Sequence, residues 1–431
     1  MRMASRIALT AACIAGSLTA ATPALAAGGE GWPFGGPGWP GGPPVLYASP
    51  AGGAGSCSGF SSCSLENAVS KAAPGDIVIA NPGFYKGGVV IDKQITLRGY
   101  GAVIDAASSS TGNGVQIVGT GSGSTVEGFR IEDAKFEGIL VGIAPVAPTN
   151  EEGTPVTSGE PVNDVRITNN VLIHNGTGFG SHAGQCFSTP NAPGDCGETI
   201  HLVSVTDSVV QYNYVANNVG GILLTDEFGP TSGNLIRGNR AIGNTDDCGI
   251  TLAGHNGAAV NHGTGLPTGE AGVFDNLVED NTSNQNGVAG QGAGILLGGG
   301  APWAGVYDNV IRGNSASGNG LSGVTIHQHL VGDLNGNVVE GNYLSDDNVD
   351  GDYDFAAAQA TQTTGVLVAS GVPPGPPLPP FLDPGPIKGT VIRGNRIVFV
   401  KDGIWTLGVE PASTVISGNS FGYGVTPLVT N

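Results

Sequence analysis

Ile236-Arg237-Gly238-Asn239, followed by Asn244, is one copy of a line that the chain repeats: an apolar residue, any residue, Gly or Asn, Asn, four residues, Asn. Ile311-Arg312-Gly313-Asn314 with Asn319 is another copy, and further copies end at Asn170/Asn175, Asn213/Asn218 and Asn281/Asn286. Single-Asn versions end at Asn342, Asn395 and Asn419. Repetition at a period of a few tens of residues means a solenoid. The text between the Asn positions is short and β-branched, which selects a β-solenoid over the helical arrays. Each coil must turn tightly and then lie on the one before. An Asn in a turn tolerates the left-handed region. Stacked on its equivalents, its amide donates to one neighbour and accepts from the next, satisfying buried polar groups. Asn170, Asn213, Asn239, Asn281 and Asn314 are expected in one line, and two Asn five residues apart imply two such lines, one at each end of a short strand.

A second frame gives the same coils. Strands that begin at Gly recur: Gly138-Ile139-Leu140-Val141, Gly221-Ile222-Leu223-Leu224, Gly249-Ile250-Thr251-Leu252, Gly294-Ile295-Leu296-Leu297, Gly323-Val324-Thr325-Ile326, Gly365-Val366-Leu367-Val368 and Gly403-Ile404-Trp405-Thr406. Alternate positions face in and out, the period-two rule of strands. An ordinary β-sandwich with Gly turns is the competing architecture, and the fixed repeat argues against it.

The chain has 431 residues, 75 of them Gly with no triplet period, so collagen is excluded. Net charge is −19 with only 12% charged residues, which argues against nucleic acid as a partner. A polyanionic substrate is disfavoured less strongly, because a local basic patch can hide in the average. Residues 1–26 read as a secretory signal: Arg2 and Arg6, an apolar run from Ile7, then Ala24-Leu25-Ala26 as a small-x-small cleavage site. The run is short for a membrane anchor and no second one follows. The reading is a secreted, extracellular protein without a membrane span. Export permits disulfides, expected as Cys57–Cys63 and Cys186–Cys196, with Cys248 buried and free.

Residues 27–44 are a Gly/Pro-rich linker, and 45–431 form the solenoid domain. Ser64 to Ala73 is expected as a short helix with Ser64 as N-cap. After it come Asp76-Ile77-Val78-Ile79, Gly83-Phe84-Tyr85 and Ile95-Thr96-Leu97-Arg98-Gly99. This order resembles the start of pectate-lyase-like right-handed parallel β-helix proteins, over about residues 45–430. The resemblance implies an all-β, right-handed parallel β-helix with an N-terminal capping helix over its open end. It is specific for fold and not for activity, since lyases, hydrolases, epimerases and non-enzymes share it.

Insertions gather on one side. Residues 142–162, 254–273 and 370–388 leave the turn after the Gly-started strand, and 177–198 and 346–362 leave the turn before it. Long loops on a regular scaffold usually carry function, so both sets are expected to wall a groove on that strand face. His201, His255, His327 and His329 fall on the face, and His182 and His262 in its walls. Asp226 and Glu227 end one Gly-started strand; Asp246 and Asp247 precede the next. Crowded carboxyls split their pKa values into an acid and a base, the equipment of glycoside hydrolysis. Asn244-Thr245-Asp246-Asp247-Cys248 also resembles the paired-Asp strand of polygalacturonases, with Asp226 about one coil earlier. That family's Gly-His-Gly and Arg-x-Lys are missing, so the hydrolytic chemistry is carried over and the pectin substrate is not.

The function expected is therefore a secreted carbohydrate-active enzyme that cleaves or transfers glycosidic bonds. Its catalytic candidates are Asp226, Asp247, Asp246 and Glu227. Its substrate-binding candidates are His201, His255, His327, His329 and Trp303, and its partner is a carbohydrate polymer or oligosaccharide. A polysaccharide lyase or epimerase is the first alternative; the Arg residues sit on the Asn side, away from that face, which counts against it. A non-catalytic extracellular binding solenoid is the second. No cofactor is required by this reading. Two metal alternatives stay open: Ca2+ near Asp346, Asp350 and Asp352, and a divalent metal at His201, His255, His327 and Asp226. Oligomeric state is not legible.

Overall fold

Short strands of three or four residues, each broken by a left-handed residue, wind the chain into stacked coils. The structure, a computed structural model, describes residues 42–142, 161–178, 198–288, 292–352, 355, 358–372 and 377–430. Pro43–Asn431 forms one compact unit. Among the described residues its strands lie in four sheets of twelve, eleven, eleven and six strands, and the strands within each sheet pair in parallel. One coil shows the plan. Val205–Thr206 lies in the six-stranded sheet, and Val209–Gln211 in the twelve-stranded sheet. Tyr214–Ala216 lies in one eleven-stranded sheet and Gly220–Thr225 in the other. The next coil repeats it with Thr231–Ser232, Leu235–Arg237, Arg240–Ile242 and Ile250–Gly254. The last sheet of each coil carries the Gly-started strands and is called the glycine-strand sheet below; the one before it is the tyrosine sheet.

The core is a stack of aliphatic residues along the axis. Ile200, Ile222, Ile250, Ile295, Val324, Val366 and Ile404 follow one another in register, all fully buried. The Gly that heads each strand is required by space. A Cβ on Gly249 would stand 1.8 Å from Ser283 Oγ and 2.6 Å from Asn286 Nδ2, inside the coil. On the outer side of the twelve-stranded sheet, charges alternate by coil: Arg237, Glu279, Arg312, Glu340, Arg393. Arg237 lies 3.5 Å from Glu279, Arg312 also pairs with Glu279, and Arg393 Nε donates to Glu340 at 2.7 Å.

The Asn lines are continuous. Asn170 Nδ2 donates to Asn213 Oδ1 at 3.1 Å, and the pattern runs on through Asn239, Asn281, Asn314, Asn342 and Asn395 to Asn419. The second line is Asn175, Asn218, Asn244, Asn286 and Asn319. The two lines bracket strands such as Arg240–Ile242, as expected. The structure adds a third, Asn234, Asn276, Asn309 and Asn337, one strand earlier in the coil. It also moves the left-handed position. The residue before the ladder Asn has positive φ, as in Tyr212 (55°), Gly238 (63°) and Asp280 (56°), while the Asn itself is not left-handed. The ladder side chain points into the coil, and its predecessor takes the turn.

The second ladder ends on Asp347, which accepts from Asn319 Nδ2 at 2.7 Å and Asn319 N at 3.1 Å. Its other oxygen is buried with no hydrogen-bond partner. Burial pushes the carboxyl up to about 8, against the donors of Asn319. That value lies above the unfolded one, about 3.9. The stabilisation is therefore complete below pH 4 and is lost as pH climbs towards 8. Asp347→Asn continues the ladder without a titrating group. In denaturant titrations across pH, the variant should match the wild type at pH 4 and exceed it at pH 8.5 by about 1–3 kcal/mol. Parallel stability curves would contradict this.

The N-terminal helix spans Leu65–Lys71, with Ser64 Oγ accepting from Asn67 N at 3.2 Å. It is shorter than the expected 64–73 because Ala72 is already extended and Pro74 disfavours helix in the residue before it. Leu65, Ala68 and Val69 close the core beside Ala48 and Cys63. The Cys57–Cys63 disulfide is present. Cys248 is free and buried, against Ala293 and Leu321 on the outer side of the glycine-strand sheet. The expected Cys186–Cys196 bridge and His182 lie outside the described residues. No helix among the described residues is long and apolar enough to cross a membrane.

Candidate active site on the glycine-strand sheet

His201 stands on the outer side of strand Glu198–Val203, in register with Leu140 before it and Leu223 after it. Its Nε2 is 2.9 Å from Thr225 Oγ1, and its Nδ1 is 3.6 Å from Glu137 Oε1, beyond hydrogen-bond reach. Thr225 ends the next strand, two residues before Glu227. Glu227 Oε1 in turn lies 2.7 Å from His255 Nδ1. The result is a string of side chains across successive coils, made of two hydrogen-bonded pairs, His201 with Thr225 and Glu227 with His255, with Glu137 beside the first. All five are nearly buried, and two atoms of the string, His201 Nδ1 and Glu227 Oε2, have no hydrogen-bond partner.

Electrostatics separate the two carboxylates beside Thr225. Burial alone raises Glu227, but the charge and hydrogen bond of His255, with help from His201 and Thr225, outweigh it and bring the group down to about 2. Burial pushes Asp226 up to about 7, against the N–H groups of His255 and Asn256. Asp226 is fully buried, and both its oxygens are occupied. Oδ1 accepts from His255 N at 2.6 Å and Asn256 N at 3.1 Å, and Oδ2 accepts from Gly272 N at 2.7 Å. It clamps both ends of the 255–272 loop onto its strand, and so holds the His255 ring against Glu227.

The other sequence candidates are spread along the face. Asp226 and Asp247 are not a pair in space. Asp226 follows Thr225, level with Gly254 of the next coil, whereas Asp247 stands beside Gly220 at the other end of the strand. Five residues at about 3.3 Å each separate those ends, too far for two groups to serve one bond. Asp247 Oδ1 accepts from its neighbour Cys248 N at 2.6 Å, and its side chain faces that of Glu198 across Gly220. Asp246 is half-exposed and accepts from Thr245 Oγ1 at 2.7 Å. His327 and His329 meet edge to face at 5.1 Å and join Phe355 and Trp405 in a separate aromatic cluster. Trp303 stacks on His262 at 4.4 Å and packs the 255–272 loop. Glu137, Thr225 and Glu198 were missed. Glu137 stands two residues before Ile139 and Glu198 two before Ile200, its register partner. Aligning the Gly-started strands two positions earlier finds both.

Comparison with solved structures decides the assignment of fold. The catalytic domain of a GH87 alpha-1,3-glucanase in complex with tetrasaccharides superposes with a TM-score of 0.52 at 15% identity, covering 89% of this chain and 59% of that one. The chain is a right-handed parallel β-helix. Other β-helix structures similar to it include the A-module of the mannuronan C-5 epimerase AlgE4 of Azotobacter vinelandii, with TM-score 0.49, 17% identity and coverage of 84% and 91%. Pectate lyase Pel9A has TM-score 0.44, 16% identity and coverage of 90% and 82%. The family model for the periplasmic copper-binding protein NosD matches residues 146–309, less than half of this β-helix. No curated protein matches the sequence.

The copper of that family's name finds no ligand set here. Among the described residues no three His, Cys, Asp or Glu side chains converge closely enough to hold a metal ion. This covers the set expected at His201, His255, His327 and Asp226, where Asp226 is spent on backbone N–H groups and His327 lies in the other cluster. It covers Asp346, Asp350 and Asp352 as well, whose neighbour Asp347 ends an Asn ladder.

Proposed function

We propose that this β-helix is a carbohydrate-active enzyme, exported by the signal at residues 1–26, that cleaves glycosidic bonds on its glycine-strand sheet. The observation that carries the reading is the string from Glu137 to His255. It sets Glu227, a carboxylate that His255 brings down to about 2, two residues after Thr225, whose hydroxyl meets an imidazole with no hydrogen-bond partner at Nδ1. Glu227 is assigned as base or nucleophile and His201 as the group that delivers the proton to the leaving oxygen, with Glu137 beside it. His255 keeps Glu227 ionised and Asp226 positions His255. The likeness of fold to an alpha-1,3-glucanase supports the substrate class.

One observation favours a second reading. The string centres on imidazole rather than on two facing carboxyls, and imidazole with carboxylate also suits removal of a proton α to a uronate, as in a lyase or epimerase. The test is to incubate the mature protein, from residue 27, with neutral glucans, mannans and polyuronates. Reducing ends and unsaturated products are followed together. Reducing ends alone are expected. Unsaturated products, or epimerised residues without cleavage, would favour the second reading. Absence of all three on every polymer would leave a binding solenoid and overturn the enzyme.

A further inference from the structure

Six successive strands of the tyrosine sheet carry no acidic residue, although the chain has 35 Asp and Glu. They are Tyr214–Ala216, Arg240–Ile242, Thr282–Asn284, Ser315–Ser317, Tyr343–Ser345 and Arg396–Val398. Their first residues form one outward row in register. The row reads Tyr, Arg, Thr, Ser, Tyr, Arg, so one Tyr–Arg unit repeats four coils later, roughly 19 Å away at about 4.8 Å per coil. In both units the guanidinium sits over the ring of the preceding coil, 5.8 Å from its centroid. Tyr214 and Tyr343 are 37% and 38% exposed.

These two Arg differ from their neighbours. Arg98, Arg130, Arg237, Arg312 and Arg393 each face a Glu. Among the described residues no carboxylate stands within ion-pair distance of Arg240 or Arg396. Between the units the floor is small and polar: Thr282 and Ser315, then Asn284, whose buried Oδ1 has no hydrogen-bond partner. A cavity edged by Thr245, Gln285 and Val288 opens where the three central strands end. Asp346, in the turn after Ser345, is the acidic residue that borders the row at the second unit.

We infer that this face is a second carbohydrate-binding surface, distinct from the glycine-strand sheet, and that it takes an extended chain bearing carboxylates. The C–H face of a pyranose packs on each exposed Tyr ring. Each Arg, planar and permanently charged, pairs with a carboxylate of the chain. The hydroxyl and amide floor meets the sugar hydroxyls between. This is the local basic patch that a net charge of −19 conceals. Holding a polymer here raises its concentration at the glycine-strand sheet without taking part in the reaction.

The test measures binding and not turnover, so it is decided independently of the enzymatic proposal. Mature Glu227→Gln protein, unable to cleave under that proposal, is titrated by calorimetry with polygalacturonate and with a neutral glucan, at low and high salt. Salt-sensitive binding of polygalacturonate is expected, with the neutral glucan bound at least tenfold more weakly. Adding Arg240→Gln and Arg396→Gln should cost at least tenfold in affinity and flatten the salt dependence. Tyr214→Ala with Tyr343→Ala should weaken binding with the salt dependence kept. Circular dichroism should be unchanged in each. No binding of polygalacturonate, equal binding of the neutral glucan, or wild-type affinity in the double Arg variant would each overturn the inference.

Discussion

Glu227→Gln will lower the rate on whichever polymer is cleaved by about 10²–10⁴-fold, with little change in KM. The amide keeps the size of the side chain, but it cannot take a proton or attack a carbon. The loss corresponds to about 3–5 kcal/mol of transition-state stabilisation. Asp247→Asn, at the far end of the strand, should leave kcat within a few-fold of wild type. Thermal melting run beside the kinetics separates chemistry from unfolding. A Glu227→Gln enzyme that folds and retains a tenth or more of the wild-type rate would remove Glu227 from the mechanism.

Asn281→Leu should cost about 4 kcal/mol or more, the largest stability effect expected from a single change in the ladders. Asn281 Nδ2 donates to Ile236 O at 2.8 Å and to Asn314 Oδ1 at 3.0 Å. Its Oδ1 accepts from Asn239 N at 2.8 Å and Asn239 Nδ2 at 3.1 Å. Leu has nearly the same volume and none of these groups, so Ile236 O and Asn239 N in the coil before lose this partner, and Asn314 Oδ1 in the coil after keeps only the Asn281 N–H. Arg312→Gln removes an exposed ion pair and should leave the urea midpoint close to that of the wild type. Urea denaturation of the two variants and the wild type, followed by fluorescence, gives the comparison. Equal midpoints for Asn281→Leu and Arg312→Gln would show that the ladder carries no special share of the stability.

The coils were legible because stacking acts on the side chain itself. An Asn on an Asn is visible in the text as a repeated letter, and so is the Gly that lets one coil lie inside the turn of the next. The third ladder was harder to see because it opens on Ser208, whose N donates to Asn234 Oδ1, and it has fewer rungs. The site was less legible than the fold. Asp226 and Asp247 are about one coil apart in sequence, but the register partner of Thr225 is Ala253, so the residue level with Asp226 is Gly254. The loop before Ile250 shifts the count and carries Asp247 to the other end of the strand. Glu137 and His201 approach each other across the insertion at 142–162 and the one at 177–198, so sequence distance said nothing of their contact. Glu227 and His255 were both singled out, but as near neighbours of a pair. What joins them is the turn after Thr225, where Asp226 spends its carboxylate on the backbone of the 255–272 loop.

The central claim is that Glu137, His201, Thr225, Glu227 and His255 act as one unit. The most direct test is a double-mutant cycle on kcat/KM with His201→Asn and Glu227→Gln. Groups that act together in one transition state lose much the same function whichever is removed. Each single variant is therefore expected to lose about 10²–10⁴-fold, and the double variant no more than the worse of the two. Losses that multiply, or a His201→Asn enzyme as fast as the wild type, would contradict the account.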